Sequence, residues 1–178
     1  YGDGAANQGQ VFESFNMASL LSLPALYIIE NNRYSMGTSQ NRGCAGGDLY
    51  RRGEPFGIKG EKVNGMDITK VISAAKNAVE IVRMQKKPYI LEMDTYRYKG
   101  HSMSDPAKYR TKDEVEKYKQ SNDPILNLLN YMDKKGYKEN TRIQEIEQKI
   151  KSTMKTVVER AKNDPFPKEE ELYTDVLI

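Results

Sequence analysis

The residues of this chain best suited to chemistry are Gly2-Asp3-Gly4 and, after an intervening segment of 26 residues, Asn31-Asn32. A carboxylate and side-chain amide oxygens are hard ligands. Mg²⁺ takes such ligands in a near-octahedral shell, usually with only one or two carboxylates, and phosphate oxygens and water complete it. The glycines flanking Asp3 leave the backbone N–H groups of Gly4, Ala5 and Ala6 open at the start of a helix. Unpaired donors and the helix dipole favour an anion there. Asp3 alone would repel a diphosphate, so the pattern makes sense with a cation between them. The plainer reading is that Asp3 and Asn7 cap a helix; the spacing to Asn31-Asn32 favours the ligand reading.

The elements between these groups decide whether they can meet. Val11, Phe15, Ala18 and Leu21 give Ala5 to about Ser22 a helical rhythm. Leu23-Pro24 breaks it, and Ala25-Leu26-Tyr27-Ile28-Ile29 reads as a buried strand ending at Glu30. With a parallel strand leading into Tyr1, Asp3 and Asn32 would both lie beyond the carboxyl ends of strands, where open sheets bind ligands. Neighbouring strands are about 4.8 Å apart, close enough for both side chains to share one cation.

Arg33 to Gly60 holds seven glycines and little periodicity, and reads as a long loop with a short helix at Asp48–Arg52. Lys62-Val63-Asn64 is a short strand. Asp67 caps a helix running to about Gln85, and Pro88–Met93 is a further strand within the sheet. The order β-α-β-α-β predicts an α/β fold with a doubly wound, mostly parallel sheet, followed by C-terminal helices. Thr111 with Glu114, and Thr141 with Gln144, form capping-box patterns, and Asp123-Pro124 supplies a cap and a first-turn proline. Ile143, Ile146, Ile150, Met154, Val157 and Ala161 form one apolar stripe, expected to pack on the body of the protein. The expected division is an α/β part over 1–110, a helical part over 111–164 and an extended tail over 165–178 that reaches a neighbouring subunit.

The 178 residues suit one domain with a real core. The net charge, 28 − 25 = +3, is spread over charges of both signs, unlike the basic face of a nucleic-acid binder. No apolar run approaches the roughly 20 residues that span a bilayer. One cysteine, Cys44, cannot form an intrachain disulfide and has no base near it in sequence, which points to an inert thiol and an intracellular setting. Because the ligand turn lies at the very start and Tyr1 is not a methionine, residues are expected to precede it. The chain reads as the C-terminal half of a longer subunit.

The fuller strings Tyr1–Gln10, Glu30–Tyr34, Met36–Ser39 and Tyr96–Pro106 resemble thiamine diphosphate-dependent 2-oxo acid dehydrogenases. More narrowly, they are similar to the alpha subunit of the decarboxylating first component of the pyruvate dehydrogenase complex, over nearly the whole chain and more weakly after about Pro124. The resemblance implies thiamine diphosphate and Mg²⁺ as cofactors. Asp3, the Asn32 side chain and the Tyr34 carbonyl would ligate the metal; Gly2, Gly4 and Ala5 would frame the diphosphate, with backbone amides of Gly4 and Ala5 holding it. It also implies oxidative decarboxylation of pyruvate with transfer of the acetyl unit to a lipoyl group. The partners would be a beta subunit in an α₂β₂ assembly and the lipoyl-bearing acetyltransferase, in a bacterial cytoplasm or a mitochondrial matrix. The glutamate that activates the cofactor belongs by this resemblance to the beta subunit.

Tyr96 to Arg110 follows directly on the last strand and carries the only histidine, His101, between Gly100 and Pro106. A lone histidine is commonly structural, but the origin of this loop aims it at the ligand rim. By resemblance His101 lines the active-site channel and contacts the cofactor or the lipoyl group, while Ser102 matches a serine that a dedicated kinase phosphorylates in mitochondrial relatives. A plain loop serine is the other reading of Ser102. The chain departs from the animal pattern in Ala107-Lys108-Tyr109, which lacks a second phosphorylatable serine, and in Lys99, where a histidine is common. Branched-chain 2-oxo acid and acetoin dehydrogenases share this chemistry. A non-catalytic scaffold that docks the beta subunit is the alternative of another class.

Overall fold

The computed structural model describes residues 1–137 and 141–175. These fall into two compact units, Tyr1–Tyr131 and Met132–Ile178. The first is α/β. Its sheet contains β1 (Leu26–Asn31), β4 (Lys59–Asn64) and β5 (Tyr89–Asp94), ordered β1-β5-β4 with both pairings parallel. The chain start extends this sheet: Gly2 forms a parallel bridge with Glu30, and the Glu30 N–H donates to the Tyr1 carbonyl at 2.8 Å. A parallel segment therefore does lead into Asp3. The register aligns Asn31 with Asp94 and Asp94 with Asn64, so polar residues line the carboxyl ends of all three strands.

Side chains of β5 alternate between two packed layers, as a period of two requires. Ile90 joins Phe15 of α1 (Gly9–Leu20), Ile29, Leu49 and Ile58 on one face. Tyr89 and Leu91 join Ala78 and Val82 of α3 (Ile68–Gln85) on the other. Burial on both faces explains why β5 reads as a nearly continuous apolar run. The Phe15 ring meets Tyr27 edge-on at 4.9 Å and so ties α1 to β1. Asp67 caps α3 by accepting from the Thr69 and Lys70 N–H groups.

The structure redraws several expectations. The helix expected over 5–22 is a 3₁₀ turn at Ala5–Asn7 followed by α1, because Gln8 is extended (φ −77°, ψ 142°). Neither Asp3 nor Asn7 caps α1; its cap position is Gln8, with no side-chain bond. The loop expected over 33–60 contains the hairpin β2 (Tyr34–Ser35) and β3 (Thr38–Ser39), the short α2 (Gln40–Gly43) and a 3₁₀ helix at Leu49–Phe56. Thr111 caps α4 (Lys112–Asn122) through the Glu114 N–H, but the Glu114 carboxylate accepts from the Tyr34 and Tyr96 hydroxyls instead of completing the box. Asp123 caps α5 (Pro124–Lys134) through the Ile125 and Leu126 N–H groups.

The second unit contains α6 (Thr141–Asn163) and a 3₁₀ turn at Glu169–Tyr173. The capping pair expected at Thr141 and Gln144 falls at an edge: Thr141 is already helical, and residues 138–140 lie outside the described residues. So do 176–178 of the expected tail. The stripe of α6 was expected to be covered, yet Ile146, Ile150, Met154 and Val157 are all exposed.

Candidate functional site

Three turns at the carboxyl edge of the sheet build the site. The first follows the Gly2 bridge and carries Asp3, which is only 3 % exposed. Burial pushes its carboxyl above the usual range, against the opposing pull of its own backbone N–H, the Arg97 charge and the Asn32 N–H. A carboxylate so placed gains from a cation, because desolvation penalises its charge. Gly4 is required here: a Cβ on it would lie 2.0 Å from Ser35 Oγ and 2.7 Å from Ser35 Cβ. The Ala6 N–H is engaged by the Gly2 carbonyl at 3.1 Å, which removes it from the amides expected to meet an anion.

The second turn follows β1 and is locked by its own side chains. Asn31 Oδ1 accepts from the Arg33 N–H at 3.1 Å, and Asn32 Oδ1 accepts from the Tyr34 N–H at 3.2 Å. Such bonds from an asparagine side chain to the backbone two residues on stabilise tight turns. Arg33 adopts φ 72°, a left-handed conformation uncommon outside glycine. Its guanidinium binds both carboxylate oxygens of Asp94, at 3.0 and 2.9 Å, which holds the strained residue to the end of β5.

The third turn is the loop from Tyr96. Arg97 Nη1 donates to the Tyr34 carbonyl at 3.3 Å and lies 3.4 Å from His101 Nδ1. Arg97 Nη2 donates to the Met36 carbonyl at 2.6 Å and to the Tyr109 hydroxyl at 3.0 Å. Asp105 closes the loop by accepting from the His101 and Ala107 N–H groups and the Tyr109 hydroxyl. The His101 N–H, then the Tyr109 hydroxyl and the Ala107 N–H, lower its pKa to about 2. His101 and Ser102 are exposed, with Ser102 Oγ 3.1 Å from Ser104 Oγ.

Arg97 thus joins Tyr34, Met36, His101 and Tyr109, and its charge acts on Asp3. Among the described residues no group of three or more His, Cys, Asp or Glu side chains is arranged to hold a metal ion. A mixed set of Asp3, Asn32 Oδ1 and the Tyr34 carbonyl nevertheless fits the oxygen preference of Mg²⁺. Each of the two carbonyl-type oxygens keeps a second lone pair beyond the bond it already accepts. A polar groove of about 470 Å³ runs past Tyr34, Asp94 and Glu114 but includes neither Asp3 nor His101.

Residues 1–170 match the family model described as Dehydrogenase E1 component. The chain belongs to the dehydrogenase E1 component family. It is 54 % identical over 177 residues to the pyruvate dehydrogenase E1 component subunit alpha of Rickettsia bellii, covering 99 % of this chain and 54 % of the relative. It is 52 % identical to the protein of the same name from Rhizobium meliloti, over 100 % of this chain and 51 % of the relative. A mitochondrial counterpart from Dictyostelium discoideum is 49 % identical, over 100 % of this chain and 47 % of that protein. The chain spans about half the length of the curated relatives it matches.

For this E1 component chain, sequence reasoning missed the parts that hold the turns of the candidate site in place: Arg97 and the Arg33–Asp94 pair. Asp94 had a signal, since it directly follows the apolar run read as the last strand, on the rim where ligands bind. The bonds from Arg97 to the Tyr34 and Met36 carbonyls join positions far apart in sequence, and nothing local announces them.

Proposed function

We propose that this chain is part of the alpha subunit of a pyruvate dehydrogenase, which acts with a beta subunit in oxidative decarboxylation of pyruvate and reductive acetylation of a lipoyl group. The observation that carries the reading is the buried Asp3 beside the Asn31–Tyr34 turn, at the carboxyl edge of a parallel sheet. Asp3, Asn32 Oδ1 and the Tyr34 carbonyl hold Mg²⁺, and the amides of Gly4 and Ala5, next to Gly2, receive the diphosphate of thiamine diphosphate. When bound, thiamine diphosphate supplies the nucleophilic carbon and the electron sink for decarboxylation, and Mg²⁺ neutralises its diphosphate.

The chain's own residues then bind and orient. Arg97 keeps the Tyr34 carbonyl aimed, and the Asp105–Tyr109 bond holds the His101 loop over the rim. His101 contacts the cofactor or the incoming lipoyl group. Ser102 is a regulatory position: a phosphate of charge about −1.5 to −2 beside the Asp105 carboxylate would disfavour the closed loop. The partners are the beta subunit, in an α₂β₂ assembly, and the lipoyl-bearing acetyltransferase. Among the described residues no helix is long and apolar enough to cross a membrane.

The test is calorimetric titration of thiamine diphosphate, with and without Mg²⁺, into the full-length subunit reconstituted with its beta partner. Binding that disappears with chelator and in Asp3→Asn is expected, followed by pyruvate turnover. An absence of binding would replace the enzyme reading with that of a scaffold. Turnover of a branched-chain 2-oxo acid or acetoin in place of pyruvate would move the substrate assignment.

A further inference from the structure

Glu92 is 0 % exposed, a carboxylate in the middle of the central strand β5. It shares a face with Ile90, where the apolar layer beneath α1 ends. A buried carboxylate is costly unless its oxygens are occupied, and such groups persist where their bonds specify a geometry. Both oxygens of Glu92 are occupied. Oε1 accepts from Asn31 Nδ2 at 2.7 Å, and Oε2 accepts from the Tyr50 N–H at 3.0 Å. Lys62 Nζ lies 3.8 Å from Oε1.

One bond runs directly to the Asn31–Tyr34 turn, and the other to a helix that in turn contacts the Gly4–Ala6 turn. Through its amide, Asn31 is held so that its Oδ1 receives the Arg33 N–H, which sets the turn presenting Asn32 and Tyr34. Through Tyr50, Glu92 anchors the Leu49–Phe56 3₁₀ helix, from which the Arg52 guanidinium donates to the Ala6 carbonyl in the turn after Asp3. Asn31 Nδ2 is also held by Gln40 Oε1 at 3.0 Å, so the amide is oriented from both sides.

We propose that Glu92 is a positioning residue for the cation and diphosphate site, holding the Asn31–Tyr34 turn and the Gly4–Ala6 turn in mutual register from beneath. It touches neither metal nor cofactor. The inference rests on the cofactor reading above, and it adds a residue whose role in that reading is purely geometric. Gln at position 92 keeps the shape but replaces one acceptor with a donor, so either Asn31 Nδ2 or the Tyr50 N–H faces an N–H group. Pairing Glu92→Gln with Asn31→Asp reverses donor and acceptor together: the Gln amide donates to the Asp carboxylate, which still receives the Arg33 N–H, and a half-turn of the Gln40 amide brings its Nε2 to the Asp at the cost of its bond to the Gly47 carbonyl.

The experiment uses the full-length subunit assembled with its beta partner. Mn²⁺ affinity is read by electron paramagnetic resonance and thiamine diphosphate affinity by calorimetry, beside the melting temperature of the cofactor-free assembly. Glu92→Gln should weaken both affinities by about 10- to 100-fold, the usual cost of losing a group that orients a metal ligand. The paired variant should recover most of that loss. A role confined to stability would lower the melting temperature and leave the affinities of the folded assembly unchanged, and that result overturns the proposal. If Glu92→Gln does not assemble, the paired variant alone decides: assembly with near-native affinity supports the proposal, and assembly without binding overturns it. Failure of the unmutated assembly to bind Mn²⁺ and thiamine diphosphate would instead sink the cofactor reading.

Discussion

Asp3 carries opposite consequences for stability and for binding. Its folded-state pKa is raised, chiefly by burial, so the fold favours its protonated form. The stability this contributes is present below the ordinary carboxyl range and is lost as pH rises through the raised value. Ionising Asp3 in the cofactor-free protein therefore costs stability, because the charge is desolvated. Asp3→Asn should remove that cost and raise the melting temperature at pH 7, by about 2–4 °C if the gain is about 1 kcal/mol. The same substitution should abolish Mg²⁺-dependent cofactor binding. Scanning calorimetry at pH 7 without cofactor checks the first effect; a lower melting temperature would mean that the charge is already well solvated or paired. Gly4 makes a purely steric counterpart. Gly4→Ala places a methyl group 2.0 Å from Ser35 Oγ and should impair binding, whereas adding Ser35→Gly removes the two offending atoms and leaves Ser35 Cα at 3.8 Å. Restored cofactor affinity in the double variant, measured by calorimetry, identifies the clash as the cause.

The His101 loop behaves as an element because one side chain closes it. Asp105 holds three donors and has its pKa lowered to about 2, so its closing bonds are intact above the ordinary carboxyl value of about 3.9 and fail as pH falls towards 2. Asp105→Asn should mimic that failure at neutral pH by turning one acceptor into a donor, and limited proteolysis should cut faster between His101 and Arg110. Cleavage at the wild-type rate would show that Arg97, and Arg110 through its bonds to the Tyr98 and Lys99 carbonyls, hold the loop without it. In α3, Asp67→Ala should lower the denaturation midpoint through loss of the cap. Elements of this kind were legible from sequence: Asp67, Thr111 and Asp123 cap where their residue types predict, and the three parallel strands lie within a few residues of their expected bounds. What stayed hidden depends on distance along the chain. Glu114 looked like the second half of a capping box, but two tyrosine hydroxyls from remote segments take its carboxylate. Glu92 looked like one more strand residue until Asn31 and Tyr50 came to meet it. Asp3 and Asn32 stood out as candidate ligands because their chemistry is written in residue type, while the contacts around them are written in tertiary structure.

At the scale of the molecule, every proposed ligand lies within Tyr1–Tyr131, and none lies within Met132–Ile178. A ligand that binds only the folded state stabilises what it binds, by about 2.7 kcal/mol at a free concentration 100 times its Kd. Here it would bridge the turn after Gly2 and the turn after Asn31, which the fold brings together through β1 and its parallel neighbour segment. The segments that gain protection should be those whose opening breaks the bridge. In the full-length subunit with its beta partner, thiamine diphosphate and Mg²⁺ should slow amide exchange over residues 2–7, 31–37 and 96–110. Exchange in the interior of α6 should change far less, since nothing proposed to touch the cofactor comes from that helix. Glu92→Gln should shrink the first two effects together, because its carboxylate supports both turns, while the pair Asn31→Asp with Glu92→Gln should return them together. Protection that appears at one turn without the other would separate the metal from the diphosphate and break the shared site into two. Protection concentrated in 141–163 would place the ligand on the second unit, and the proposed roles of Asp3, Asn32 and Tyr34 would fall with it.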